Sequence, residues 1–174
     1  CFSYYTTNNY LWLPRLMPKG LKETSGLITI GFSASEAVAG TMVQTKIDLQ
    51  LNVLDREVFV VYGLSMDIAP ADGIAGADTA TFASISTTSR ATVGNLSDSN
   101  VLGTAGNQCN AAGFIDSGVG SSFNSADAPA TQLEYLGIIA TNDFFGQVVG
   151  VNNVNLKTLS GRIFGVRAQA SADI

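Results

Sequence analysis

Between Val43 and Ile68 the chain alternates apolar and polar positions for almost its whole length. In VQTKIDLQL, Val43, Thr45, Ile47, Leu49 and Leu51 take every second place, while Gln44, Lys46, Asp48 and Gln50 fill the gaps. This is the period of a β-strand with one wet face, and a helix cannot present it as one face. After Asp55-Arg56-Glu57 the alternation resumes in VFVVYGLSMDI, which places Val58, Val60, Tyr62, Leu64, Met66 and Ile68 on one side and Val61, Gly63, Ser65 and Asp67 on the other. Leu54-Asp55-Arg56 is a compact turn, so the two runs read as a hairpin or a bulged continuous strand. Pro70 ends the pairing.

The same period marks further strands in GLITIGF (26–32), TATFASISTT (79–88), LEYLGIIAT (133–141), DFFGQVVGVNN (143–153), VNLKTL (154–159) and GRIFGVRAQAS (161–171). In the last, Phe164, Val166 and Ala168 face one way, and Ile163, Gly165, Arg167 and Gln169 the other. SASEAVAG is the one helical candidate, with Ser33 and Glu36 as a capping box and Gly40 as the stop. Residues 93–132 are dominated by Gly, Ala, Ser, Asn and Asp and read as a long displayed loop region. The expected core is Ile28, Ile30, Ile47, Leu49, Val60, Tyr62, Leu64, Leu136, Ile138, Val149, Phe164 and Val166. About eight strands joined by long crossing loops, with at most one short helix, predict an all-β, antiparallel Greek-key or jelly-roll sandwich. The organisation is an aromatic and basic arm over 1–22 followed by a single sandwich domain over 23–174.

Composition shifts attention to surfaces. Hydrophobic residues make up 46% of the 174 residues and charged ones only 13%, about half the usual share. Such a surface either meets other protein or is solvated by Ser, Thr, Asn and Gly. The net charge of −5 is unevenly spread. Before Glu23 there is no acid, only Arg15, Lys19 and Lys22; between Arg90 and Lys157 there is no base. Three charges make Arg15, Lys19 and Lys22 candidates for weak nucleic-acid contact, far short of an arm that neutralises a genome. Five of the fifteen aromatics, Phe2, Tyr4, Tyr5, Tyr10 and Trp12, fall in the first twelve residues. Each can bury about 150–250 Å², so the arm is expected to dock, on its own domain or on a neighbouring subunit. MPKGLKE from Met17 looks like a natural start, which makes residues 1–16 an extension of uncertain origin. Cys1 and Cys109 allow one bridge but read better as free thiols. No apolar run reaches the roughly 20 residues of a transmembrane segment and no signal-peptide pattern opens the chain, so a soluble protein is expected.

The chemistry that the residues could carry is sparse. Without histidine there is no Ser–His–Asp or Cys–His constellation, and two distant cysteines cannot build a zinc site. Asp116 in FIDSGVG sits in a string like that around an aspartic-protease carboxylate, yet that chemistry needs two carboxylates sharing a proton, and Asp-Ser-Gly is also a common turn. Asp67, Asp72 and Asp78 match no calcium-loop spacing and read as a solvated acidic loop. Asn95-Leu96-Ser97 forms a glycosylation sequon that is uninformative alone. The expectation is no enzyme, no cofactor and no metal site.

The order of an arm, a strand leading to a small turn, the run TKIDLQLNVLDREVFVVYGLSMDI, a Ser/Thr/Gly/Ala-rich excursion and a closing RIFGVRAQA strand resembles the single jelly-roll capsid proteins of small icosahedral viruses, over residues 21–174. The resemblance implies a subunit that tiles with copies of itself in a virion shell, alongside other capsid proteins where present. The weak basic arm departs from the pattern and sets direct genome binding aside. The alternative class is a carbohydrate- or protein-binding sandwich, a lectin, adhesin or filament subunit, at the cell surface or outside it. Its candidate aromatics outside the arm are Phe123, Tyr135, Phe144 and Phe145.

Overall fold

The computed structural model describes residues 17–113, 121–126 and 134–171. Ten strands form two antiparallel sheets: β1 (Leu21–Glu23), β2 (Ile28–Ser35), β3 (Val43–Asp48), β4 (Glu57–Ile68), β5 (Thr79–Ser86), β6 (Val101–Asn110), β7 (Ser121–Ala126), β8 (Gly137–Ile139), β9 (Asp143–Val151) and β10 (Thr158–Ala170). One sheet runs β1-β10-β4-β8 with β2 beside β1 on the same edge of β10; the other runs β3-β9-β5-β6-β7. Setting aside the short β1 and the outer β7, the eight remaining strands in chain order stack as 1-8-3-6 against 2-7-4-5. That double Greek key is a jelly roll, as the alternation and crossing loops predict.

Phe32, Leu49, Phe59, Val61, Ile85, Phe144, Val148, Leu159 and Ile163 pack between the sheets. The rings of Phe32 and Phe144 meet edge to face, with centroids 5.8 Å apart at 87°, and tie one sheet to the other. Ile28, Ile30, Ile47, Leu64 and Leu136 line this core half-buried.

The other expected core residues lie elsewhere, because β4 does not keep one phase. Phe164 pairs with Gly63 and Gly165 with Val61, which leaves Tyr62 as an extra residue. This bulge shifts the alternation by one place. Before it, Phe59 and Val61 point inward and Val58 and Val60 outward; after it, Leu64, Met66 and Ile68 point inward. Val60, Tyr62 and Val166 therefore belong to a second apolar cluster, on the outer face of the β10-β4 sheet with Val58, Ala168, Met17, Leu21 and Tyr135. Ile138 is 37% exposed, and Phe164 and Val149 are half-buried on outer faces.

Two local expectations also change. SASEAVAG forms no helix: β2 continues to Ser35, and Glu36 turns inward. The stretch 93–132 holds β6 and β7. The pattern hides β6 because Gly103, Ala105 and Gly106 pack through backbone and small side chains, and because a bulge at Leu102 swings that side chain into the core. A 3₁₀ turn at Val53–Asp55 occupies the predicted turn between β3 and β4.

Leu49→Ala and Ile163→Ala should each lower unfolding free energy by about 2–4 kcal/mol, since both side chains are enclosed. Ile138→Ala should cost under about 1 kcal/mol. Urea denaturation of the three variants checks the order.

Candidate functional site

The arm aromatics Phe2, Tyr4, Tyr5, Tyr10 and Trp12, together with Arg15, lie outside the described residues, as do Cys1 and Asp116. Lys19 stands exposed in the turn before β1, and Lys22 is exposed on β1. Of the three arm bases, Lys19 and Lys22 are described, and both are exposed. Cys109 is a buried free thiol.

Most other bases are already engaged. Lys46 pairs with Asp143 at 3.2 Å, Arg90 with Asp98 at 2.8 Å and Lys157 with Asp72 at 2.6 Å. Arg167 donates to the carbonyl of Leu49 at 3.1 Å. The folded domain spends these charges on holding itself together, and they do not assemble into one basic surface.

One end of the sandwich is closed by a polar staple. Glu36 is buried, and its carboxylate accepts the backbone N–H groups of Gly150 at 2.7 Å, Lys157 at 2.8 Å and Gly40 at 3.2 Å. Lys157, 3% exposed, extends its ammonium to the Pro70 carbonyl and the Asp72 carboxylate. Asp72 in turn accepts from the backbone of Val154 and Asn155. Asp78 caps the β6 end through the backbone N–H groups of Ala111 and Ala112. The acids of the 67–78 segment therefore divide: Asp72 and Asp78 pin loops from distant parts of the chain, and Asp67 is exposed. Among the described residues no group of three or more His, Cys, Asp or Glu converges on one point. The Asn155 N–H, followed by the Lys157 ammonium, holds the Asp72 carboxyl far below the usual carboxylate range, against a smaller opposing effect of burial.

A second network lies on the outer face of the β9-β5 sheet. Gln147, fully enclosed, accepts from Ser84 at 2.7 Å and donates to Ser86 at 2.8 Å and Gln44 at 2.9 Å. The segment 87–100 folds over it, fixed by Gly94 N–H to Ser84 and by the Arg90–Asp98 pair. Gly94 is required there, since a Cβ would stand 2.4 Å from Val101. Asn95 of the sequon stands exposed on this segment, its side-chain oxygen accepting from Ser97 N–H.

Two features have no partner among the described residues. Leu21, Val58, Tyr135, Ile138 and Ala140 line an apolar cleft of about 760 Å³ on the outer face of the β10-β4 sheet, with Lys19 and Arg56 as its charged lining. Beside it the 3₁₀ turn lifts Val53 and Leu54 into solvent, 71% and 94% exposed. At the stapled end Val38 and Val154 are also largely exposed. The alternation could not show Leu54 as a knob, because an apolar residue in a turn has no period to reveal its face.

The chain matches no protein-family model and no curated protein sequence.

Asp72 ties the staple to pH. Its folded carboxyl is depressed, so its contribution to stability is present above the unfolded value near 3.9 and lost as pH falls below it. Acid titration of wild type and Asp72→Asn, read by melting temperature, should show a shallower loss below about pH 4 in the variant. Lys157→Met should cost about 3 kcal/mol at neutral pH by leaving Asp72 without its cation.

Proposed function

We propose that this chain is a self-assembling structural subunit, a viral capsid protein that forms a shell with copies of itself. The observation that carries the reading is the 1-8-3-6 and 2-7-4-5 strand order, an architecture shared by capsid and lectin domains. What favours the shell over the lectin is the location of the aromatics. A sugar site needs exposed rings beside acids, yet Phe144 is fully enclosed in the core and Tyr135 lines a cleft whose described lining holds bases and no acid. Val38, Val53, Leu54, Val154 and Leu156 stand exposed instead on connecting segments between strands, where neighbouring copies would cover them. The same reading assigns Phe2, Tyr4, Tyr5, Tyr10 and Trp12 to contacts between subunits. It places the protein in the virion; a non-viral binding module would act outside the cell or at its surface.

Nucleic acid has little to hold in such a subunit. Lys46, Arg90 and Lys157 are paired internally and Arg167 is bonded to the Leu49 carbonyl; Arg56 and Arg162 lie outside the arm sequence, and the arm's three phosphate contacts alone give a salt slope of only about −2 to −3. Packaging would then depend on another capsid protein or on a membrane beneath the shell.

Electron microscopy of purified protein tests the central reading: closed particles or tubes are expected, and a species that stays monomeric at every concentration overturns it. Removal of residues 1–16 should leave a folded domain that assembles poorly. Filter binding across a salt series should give weak affinity for single- and double-stranded DNA and RNA at physiological salt, with the shallow slope above.

A further inference from the structure

The turn between β3 and β4 is more rigid than a connector requires. Asn52 accepts from Leu54 N–H at 3.2 Å, donates its own N–H to Glu57 at 2.8 Å, and its side-chain amide holds the Asp55 carboxylate. Arg56 closes the turn in the left-handed region at φ 52°, its N–H returning to the Val53 carbonyl. A non-glycine residue in that conformation is strained. All this organisation holds a leucine 94% exposed, with a valine before it and an acid after it.

The cleft next to it has the opposite character. Its floor is apolar, its charged side chains are Lys19 and Arg56, and neither has an ion-pair partner among the described residues. Its volume of about 760 Å³ lies within the roughly 300–1,000 Å³ of ordinary anchor and ligand pockets. Knob and cleft thus match in hydrophobicity and charge. They cannot satisfy each other within one molecule, because Arg56 belongs to both: it ends the turn and lines the cleft.

We propose that Val53–Asp55 of one copy seats in the cleft of a second copy, and reciprocally, about a two-fold axis close to Arg56. Leu54 enters between Val58, Ile138 and Ala140, and Asp55 faces Lys19 and Arg56. Adjacent complementary patches on one surface are what an isologous contact requires. The inference rests on the self-assembly reading and names the surface that performs it. Three residues a side fall well short of the roughly 800 Å² per partner of a stable interface, so the contact works at high concentration or among others in a larger assembly.

Two single variants test it, Leu54→Asp for the knob and Ala140→Glu for the cleft, both at exposed positions and both expected to melt as wild type does. In sedimentation velocity over a concentration series, each variant alone should lose pairing at least tenfold. An equimolar mixture should recover part of it, because a mixed pair keeps one intact knob in one intact cleft. Pairing of Leu54→Asp at wild-type strength overturns the proposal, and if removing residues 1–16 then abolishes pairing, the cleft takes the arm. Particles that form equally well from Leu54→Asp discard this surface and leave the shell reading standing, whereas wild-type protein that stays monomeric throughout discards both.

Discussion

Two glycines of β10 set how closely the sandwich can close. At Gly161 a Cβ would lie 2.3 Å from the Ser65 carbonyl and 2.6 Å from the Phe32 ring; at Gly165 it would lie 2.3 Å from the Val60 carbonyl and 2.6 Å from the Phe59 ring. Both aromatic rings are thus laid against bare backbone of the strand that pairs with β1, β2 and β4 at once. From that position Phe32 reaches Phe144 on the opposite sheet. Any side chain at these places would push the rings outward and part the sheets, since a packed interior has no slack of that size. The closeness of the two sheets follows from β10 being thin where the rings are thick.

That dependence explains which parts of the fold could be read from the chain. Alternation in 43–48 turns the correct face to the core, and in 161–169 it separates the two faces but gives the core to the wrong one, since Ile163 points inward and Phe164 and Val166 outward. It misled in β4, where Tyr62 is an extra residue and every position beyond it changes sides, so Val60 and Leu64 could not share a face as the period implied. A bulge leaves no mark in a run of apolar residues, and Leu102 in β6 shows the same silence. Ser33 and Glu36 imitated a helix cap, yet Glu36 answers to Gly150 and Lys157 across more than a hundred residues of sequence. Local spacing cannot announce a partner so distant. Of the site, Lys19, Tyr135 and the general wealth of apolar surface are legible in the sequence, whereas Leu54 reads there only as part of a turn.

The two polar networks have a common logic. Glu36, Lys157 and Gln147 would each be costly to bury alone, and each is enclosed with most of its hydrogen-bonding capacity met. They hold loops from opposite halves of the chain in fixed relation: 36–40 with 150–157 at one end, 87–100 over the β9-β5 face. A purely apolar seal would tolerate slippage, whereas a carboxylate receiving three amides accepts one arrangement. The same rigidity fixes the positions of exposed residues such as Val38 and Val154 at that end, as the proposed shell would require of residues that meet a neighbour.

The distribution of charge then separates the roles of the two sheets. The β9-β5 sheet covers its outer face with its own segment and pairs its bases internally, through Lys46–Asp143 and Arg90–Asp98. The outer face of the β10-β4 sheet keeps an apolar cluster, an open cleft, and Lys19 and Arg56 with no ion-pair partner among the described residues, in a chain of net charge −5. Unpaired cations beside apolar surface attract acids carried on apolar segments and repel other basic surfaces, so they select partners more than they strengthen binding. Because the chain carries such an acidic, apolar segment at Val53–Asp55, next to the cleft through Arg56, the proposed pairing would select a copy of the same molecule over an unrelated one.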